Sequence, residues 1–182
     1  MIYYNDNELM IRNMEETDAR VFTDEEIAKG WNVDISKYLT RLRDQAEGKC
    51  ISLTAVYNGL PVGHISVYIT GFRGCVQRKN LPEIVDFGVL EKYRRKGIGS
   101  RMMDVAEKIA GQYANTVWLR VGLHSGYGSA QRMYVKRGYI PDGTGVWYQN
   151  KLCAQYDTEI ANDDDLVLFL FKDIRAVNGN NH

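Results

Sequence analysis

The chain has 182 residues, 45% of them hydrophobic and 25% charged, which is the balance of one globular domain with a core of its own. Its 23 basic and 23 acidic residues cancel, so there is no global basic field of the kind that a nucleic-acid partner favours. No apolar run nears the roughly 20 residues of a membrane-spanning helix, and the opening Met-Ile-Tyr-Tyr-Asn-Asp lacks the basic-then-apolar order of a signal peptide.

Residues 9–13 are expected to form a first strand. Residues 17–29 and 35–45 have helical composition, with Tyr38, Leu39 and Leu42 on one face of the second helix. Two β-rich segments, 50–57 and 62–69, are joined through Asn58-Gly59, a strong hairpin signal. Residues 84–90 read as a central strand. Over 98–113 the apolar residues Ile98, Met102, Val105, Ala106, Ile109 and Tyr113 recur at helical spacing. A strand over 116–121, a helix over 129–137 and a short strand over 138–141 follow. The segment 142–164 is long for a loop and is therefore a candidate substrate-facing element. A last, apolar strand spans 165–172, and the polar tail 176–182 is expected to fray. No repeat or linker divides the chain, so 1–182 is expected to be a single domain. This order predicts an α/β fold, a mixed sheet with helices on both faces.

The stretch from Ile84 to Met103 carries the most chemistry. A strand is followed by a short basic turn with two glycines and then by an amphipathic helix. The first amides of a helix lack internal partners, and the helix dipole makes that end partly positive. Gly97 and Gly99 let the backbone approach an oxygen-rich ligand. Arg94, Arg95, Lys96 and Arg101 add positive charge at the same point, where cations oppose the dipole unless an anion binds. A phosphorylated cofactor is the expected ligand. The dinucleotide fingerprint Gly-x-Gly-x-x-Gly fails at Met102, and no Gly-Lys-Ser/Thr of a P-loop occurs.

What stands here instead is Arg94-x-x-Gly97-x-Gly99 after a strand, and downstream Ala130-Gln-Arg-Met-Tyr134-Val-Lys-Arg-Gly138-Tyr139. Together they resemble the cofactor motif and the late helix and strand of the GNAT family of N-acetyltransferases, over roughly residues 9–172. The resemblance implies a GNAT-like, mostly antiparallel central sheet and acetyl-CoA as co-substrate. It places the cofactor at Phe87, Val89 and Leu90 of the strand and at Arg94, Arg95, Lys96, Gly97, Ile98, Gly99 and Ser100 of the turn and helix. Val89 N–H is the candidate donor to the thioester oxygen. The family often has asparagine three residues before the motif's alanine; this chain has Tyr127 there, beside the pantetheine arm.

Two catalytic roles follow from the resemblance. Tyr134 matches the family's helix tyrosine and is the candidate general acid to the leaving thiolate. Glu83 begins the central strand where the protein-acetylating branch of the family places a base. Asp86, expected on the opposite side of the strand, and a water are the competing bases. No cysteine is placed as a covalent relay, so direct attack in a ternary complex is expected.

Other constellations carry less. His64, His124 and His182 are far apart, and the Gly-x-Ser-x-Gly elbow of a serine hydrolase is absent. No metal site is expected: no zinc spacing occurs, and Asp163-Asp164-Asp165 lacks the glycine and terminal glutamate of a calcium loop. Cys50, Cys75 and Cys153 are widely spaced and read as idle thiols of a reducing cytoplasm. Trp31, Tyr127, Tyr139, Trp147 and Tyr148 are either cleft or core aromatics. Asp18, Asp24, Glu25 and Glu26 in the first helix, with Asp142, Asp157 and Glu159 in the late loop, favour a cationic acceptor. The expected activity is acetylation of a primary amine, on a small molecule or a peptide. The alternative is a non-catalytic acyl-CoA sensor, which would keep the cradle but not need Glu83 or Tyr134. A homodimer through an exposed strand or through the final strand is a further expectation; a nucleic-acid or membrane partner is not.

Overall fold

The computed structural model describes residues 1–71, 80–156 and 159–175. Cys75, Asp157, His182 and the tail 176–182 lie outside the described residues. Among the described residues, nine strands and four α-helices make the expected mixed α/β fold with a mostly antiparallel sheet. Among the described residues no helix is long and apolar enough to cross a membrane. The chain divides into two compact units, Met1–Ile69 with Ile84–Ile109, and Thr70–Glu83 with Ala110–His182.

The first unit begins with β1 (Ile2–Asn5) and β2 (Leu9–Asn13), then α1 (Glu16–Ala28) and α2 (Ser36–Ala46). β3 (Cys50–Tyr57), β4 (Leu60–Tyr68), β5 (Glu83–Val89) and α3 (Ile98–Ala110) follow. Its strands lie in the order β1-β2-β3-β4-β5. β3 and β4 pair antiparallel, Leu53 opposite Ile65 and Thr54 opposite His64. Asn58 and Gly59 join them with φ of 48° and 81°, the double left-handed conformation that an Asn-Gly hairpin turn requires. β1, at the amino terminus, was not expected; it pairs with β2 through Tyr4 and Ile11.

Two sets of contacts hold the helices of this unit. Met14, Ala19, Phe22 and Tyr38 form a buried cluster, with Ile35, Leu42 and Leu90 packed on it. Leu39, expected on the same helix face as Tyr38, is exposed instead. It is one residue from Tyr38 and therefore about 100° round the helix. Asp18 is buried but fully used. It takes the Arg12 guanidinium at 2.6 and 2.9 Å, the Thr54 hydroxyl at 2.9 Å and the Glu15 amide at 2.9 Å. On α3, Ile98, Met102, Val105, Ala106 and Ile109 are buried, while Tyr113 lies past the helix end and is exposed.

The second unit contains β6 (Thr116–Gly122), α4 (Gly128–Lys136), β7 (Ile140–Tyr148), β8 (Lys151–Leu152) and β9 (Leu166–Asp173), with strand order β6-β9-β7-β8. The apolar β9 is central here and pairs with β6 on one side and β7 on the other, for example Phe171 with Trp118 and Ile140. Trp118 and Phe169 form its core, with Leu81, Trp147 and Phe171 against them. Two expectations are corrected. The strand after α4 is not four residues but nine, with a register shift between Pro141 and Val146. Nor is 142–164 one long loop: β7 turns back into β8 through Gln149 and Asn150, both at positive φ.

Candidate active site

The cradle lies in the first unit and is built by β5, a basic turn and the start of α3. A single 3₁₀ turn, Glu91–Tyr93, leads from the strand into it. Arg95 and Gly97 both have left-handed backbone, φ 62° and 79°, and this pair of reversals turns the chain into the helix. A Cβ added to Gly97 would meet nothing within 4 Å among the described residues; the glycine serves the backbone conformation and leaves open space over the turn. At Gly99 the situation is the reverse. A Cβ there would stand 3.1 Å from Phe87 Cζ and 3.6 Å from Val89 Cγ2, so the glycine lets the helix start pack on β5.

The cations around this space are exposed and lightly held. Arg94 Nε donates to the Val89 carbonyl at 3.1 Å, and its guanidinium is 3.9 Å from Glu91. Lys96 Nζ lies 5.4 Å from the Tyr57 ring centre, and Arg101 lies 4.6 Å from that of Tyr4. Arg95, Lys96 and Ser100 face solvent, while Ile98 anchors the helix in the core. Leu90 N–H is used within the fold, on Val62 O at 2.8 Å. An anion binding at the helix start would meet amides, the positive helix end and mobile cations together.

Beside β5, on α1, α2 and β4, lies a polar cluster. Glu26 Oε1 accepts from Lys37 Nζ at 2.9 Å and from the Tyr38 hydroxyl at 3.1 Å. The Tyr38 hydroxyl is also 3.2 Å from His64 Nε2. Phe22, Tyr38 and His64 stack in one aromatic group, with centroids 4.9 to 5.7 Å apart. Burial holds His64 down at about 4, with Lys37 adding to the effect, so its ring is neutral at pH 7. Burial, and then Glu26, pushes the Tyr38 phenol well above its ordinary range.

Asp86 reaches this cluster by an unusual route. Its φ is +52°, a left-handed backbone that a residue other than glycine rarely adopts. Its carboxylate pairs with Arg41. Burial raises its proton affinity, but Arg41 overcomes this and holds it below the ordinary carboxylate range. Arg41 also donates to the Tyr68 hydroxyl at 3.0 Å, and Tyr68 in turn donates to Asp44.

The second unit holds the other predicted residues. Glu83 is 0% exposed, with Arg120 Nε 3.5 Å away. Tyr134 on α4 is buried, its ring centre 5.7 Å from that of Tyr139. Gly138, at φ 86°, makes the turn from α4 that brings the two rings together. Burial, and then Tyr127, raises the Tyr134 phenol far above its ordinary value, so it keeps its proton. Tyr127 ends a short 3₁₀ turn, and its ring packs on Gly122, where a Cβ would be 2.4 Å away. Its hydroxyl donates to Asp164 at 3.0 Å, and His124 Nε2 is 2.9 Å from the same oxygen. Among the suggested cleft aromatics, Tyr139 is core, Trp147 packs 5.1 Å from Phe169 and Trp31 is exposed. Among the described residues no group of three or more His, Cys, Asp or Glu is placed to hold a metal.

Comparison with known proteins agrees with the fold. The model of the acetyltransferase (GNAT) family matches residues 11–139. A comparison with curated proteins found no match. Several solved structures share the fold. Ard1 from Thermoplasma volcanium is 20% identical, with TM-score 0.65 over 91% of this chain and 97% of that one. YncA from Salmonella typhimurium, a putative acetyltransferase solved with its cofactor acetyl-CoA, is 14% identical, with TM-score 0.66 over 95% and 98%. A ribosomal-protein-alanine N-acetyltransferase from Brucella melitensis is 17% identical, with TM-score 0.62 over 89% and 98%.

Proposed function

The chain belongs to the acetyltransferase (GNAT) family, and from that premise we propose that it transfers the acetyl group of acetyl-CoA to a primary amine by direct attack in a ternary complex. The observation that carries this reading is the turn into α3. Gly97 is left-handed with open space above it, Gly99 is in close contact with Phe87, and exposed Arg94, Arg95 and Lys96 surround them. Such a turn fits a pyrophosphate. The acetyl-CoA bound to YncA supports the same ligand here.

The thioester supplies an activated acyl carbon. The amine must first lose its ammonium proton; its lone pair then forms the C–N bond as the C–S bond breaks, and the new amide nitrogen sheds a second proton that balances the one the thiolate gains. Val89 N–H is the donor assigned to the thioester oxygen. Tyr134 protonates the departing thiolate; its burial keeps the phenol protonated and ready to donate. Glu83 is the base assigned to the amine proton. Asp86 is the poorer base, because Arg41 holds it ionised at low proton affinity. Cys50 and Cys153, which are in no disulfide among the described residues, fit a reducing cytoplasm.

Calorimetric titration with acetyl-CoA, with NAD and ATP as controls, tests the cofactor. Turnover on a panel of small amines and amino-terminal peptides then tests the reaction. Selective acetyl-CoA binding with acetylation of an amine supports the reading. Selective binding without any turnover supports an acyl-CoA sensor, and no acetyl-CoA binding overturns both.

A further inference from the structure

We propose that Glu26 and Tyr38 form a subsite for the second, non-reacting ammonium of a diamine-type acceptor, and that Lys37 fills this subsite in the present structure. The proposal rests on the acetyltransferase reading for the word acceptor; the subsite itself rests on the geometry of the first unit.

Lys37 Nζ sits 2.9 Å from Glu26 Oε1 and 4.5 Å from the centre of the Tyr38 ring. A carboxylate on one side and an aromatic face on the other is the usual way in which a protein holds an ammonium ion. The two partners differ in access. The Glu26 side chain is 12% exposed and that of Lys37 is 37% exposed. The anion therefore belongs to the fold, while the cation enters from the solvent side on a flexible four-carbon stem that can swing away.

The tethered ammonium does not satisfy the carboxylate. Glu26 Oε2 is buried and has no hydrogen-bond partner among the described residues. An orphaned buried acceptor of this kind costs free energy. An ammonium carries three donors, and one that is free of the Lys37 backbone can settle between the two oxygens. The neighbouring acid does not compete for it, because Asp86 is held by Arg41.

Position then decides which amine binds here. From Glu26 the contacts run to Tyr38, from Tyr38 to His64 Nε2 at 3.2 Å, and from His64 to β5, where a Cβ on Gly88 would lie 2.9 Å from the same nitrogen. The subsite thus lies three contacts of 2.9 to 3.2 Å from Gly88 on the strand assigned to the thioester. It also favours the wrong protonation state for attack. A carboxylate stabilises the ammonium form, whereas the nucleophile must be neutral. The group held by Glu26 is therefore a second cation, separated by a spacer from the amine that reacts.

Calorimetry on the CoA-saturated protein tests this with 1,4-diaminobutane and 4-amino-1-butanol, equal in length and differing by one ammonium. The wild type is expected to bind the diamine about tenfold more tightly. Glu26→Gln is expected to abolish that preference. Lys37→Met is expected to tighten diamine binding by about fivefold or more and to leave the amino alcohol within about twofold, a gain that misfolding cannot imitate. A preference unchanged in Glu26→Gln, or no gain in Lys37→Met, overturns the subsite. The same titrations without CoA, beside an acetyl-CoA titration, separate the two readings. Diamine preference without acetyl-CoA binding leaves the subsite and removes the acetyltransferase reading. Acetyl-CoA binding with no diamine preference does the opposite.

Discussion

The carboxylate of Asp86 pairs with the Arg41 guanidinium at the one left-handed residue of β5. Arg41 is only 5% exposed on its side chain, so the pair neutralises a buried cation and pins a strained stretch of strand to α2. Removing one partner of such a pair leaves the other charge buried and costs more than the pair itself contributes. Asp86→Asn is expected to lose about 2 to 3 kcal/mol of stability at pH 7 in urea unfolding. The sign of the pH dependence follows from the lowered proton affinity of Asp86. Its contribution is complete above the ordinary carboxylate range and is lost as pH falls through the folded-state value. The gap between wild type and variant should therefore close in acid. A gap that stays constant down to pH 3 would refute the electrostatic account.

Gly97 and Gly99 act for different reasons, and substitutions separate them. Gly97→Ala meets no neighbour but must hold φ near +79°; a stability loss of about 1 to 2 kcal/mol is expected, with acetyl-CoA affinity within about threefold. Gly97→Glu has the same backbone cost and adds an anion over the cradle. Its acetyl-CoA affinity should fall by at least about 30-fold. Should the two variants bind alike, the turn is not where the phosphates sit. At Gly99 an alanine would press its Cβ on Phe87 at 3.1 Å, so binding and packing should fail together there.

How much of this was legible in the sequence depends on the distance between partners. The strand, turn and helix from Glu83 to Ala110 were readable because they are consecutive and the helix period from Ile98 to Ile109 is strong. The hairpin at Asn58-Gly59 was readable for the same reason. The turn at Gln149-Asn150 was not, since its left-handed residues lack the glycine that signals them. Nor was the Glu26, Tyr38 and His64 cluster. Those residues are 12 and 26 positions apart along the chain, and only the packing of α1 and α2 beside β4 brings them together. Tyr38 was identified as a helix-face residue, but its hydroxyl chemistry became visible only with its partners. The left-handed backbone at Asp86 left no local signal either, because a left-handed aspartate has the same side chain as an extended one.

Tyr134 and Glu83 make separable predictions. Tyr134→Phe keeps the buried ring and removes only the donor. It is expected to lower kcat by about 100-fold or more with the acetyl-CoA Kd unchanged. Because burial raises the Tyr134 phenol, kcat in the wild type should show no decline from this group as pH rises to 9. Glu83→Gln is expected to lower kcat by about 10-fold or more with the acetyl-CoA Kd unchanged. Urea unfolding of the same variant checks that loss of the Arg120 contact has not simply unfolded the protein. A Tyr134→Phe enzyme with full kcat would move the proton-donor role elsewhere.

His64 gives a pH test that needs no substrate. Its folded-state value of about 4 lies below the ordinary 6.5 of an exposed imidazole. The fold therefore favours the neutral ring. The associated stability is complete above pH 6.5 and is lost as pH falls from there towards 4. The groups that set this balance face the ring from three elements: Lys37 on α2, Glu26 on α1 and Asp86 on β5. Between pH 7.5 and 4 the wild type should lose about 3 kcal/mol relative to His64→Gln, which cannot titrate. Urea midpoints at half-unit steps of pH measure the difference directly. Parallel curves for the two proteins would mean that the ring charges freely and that the contacts from Tyr38 and Gly88 leave it open to water. A divergence centred below pH 6.5 would instead show the neutral imidazole locked between α2 and β5, as the 3.2 Å contact with Tyr38 implies.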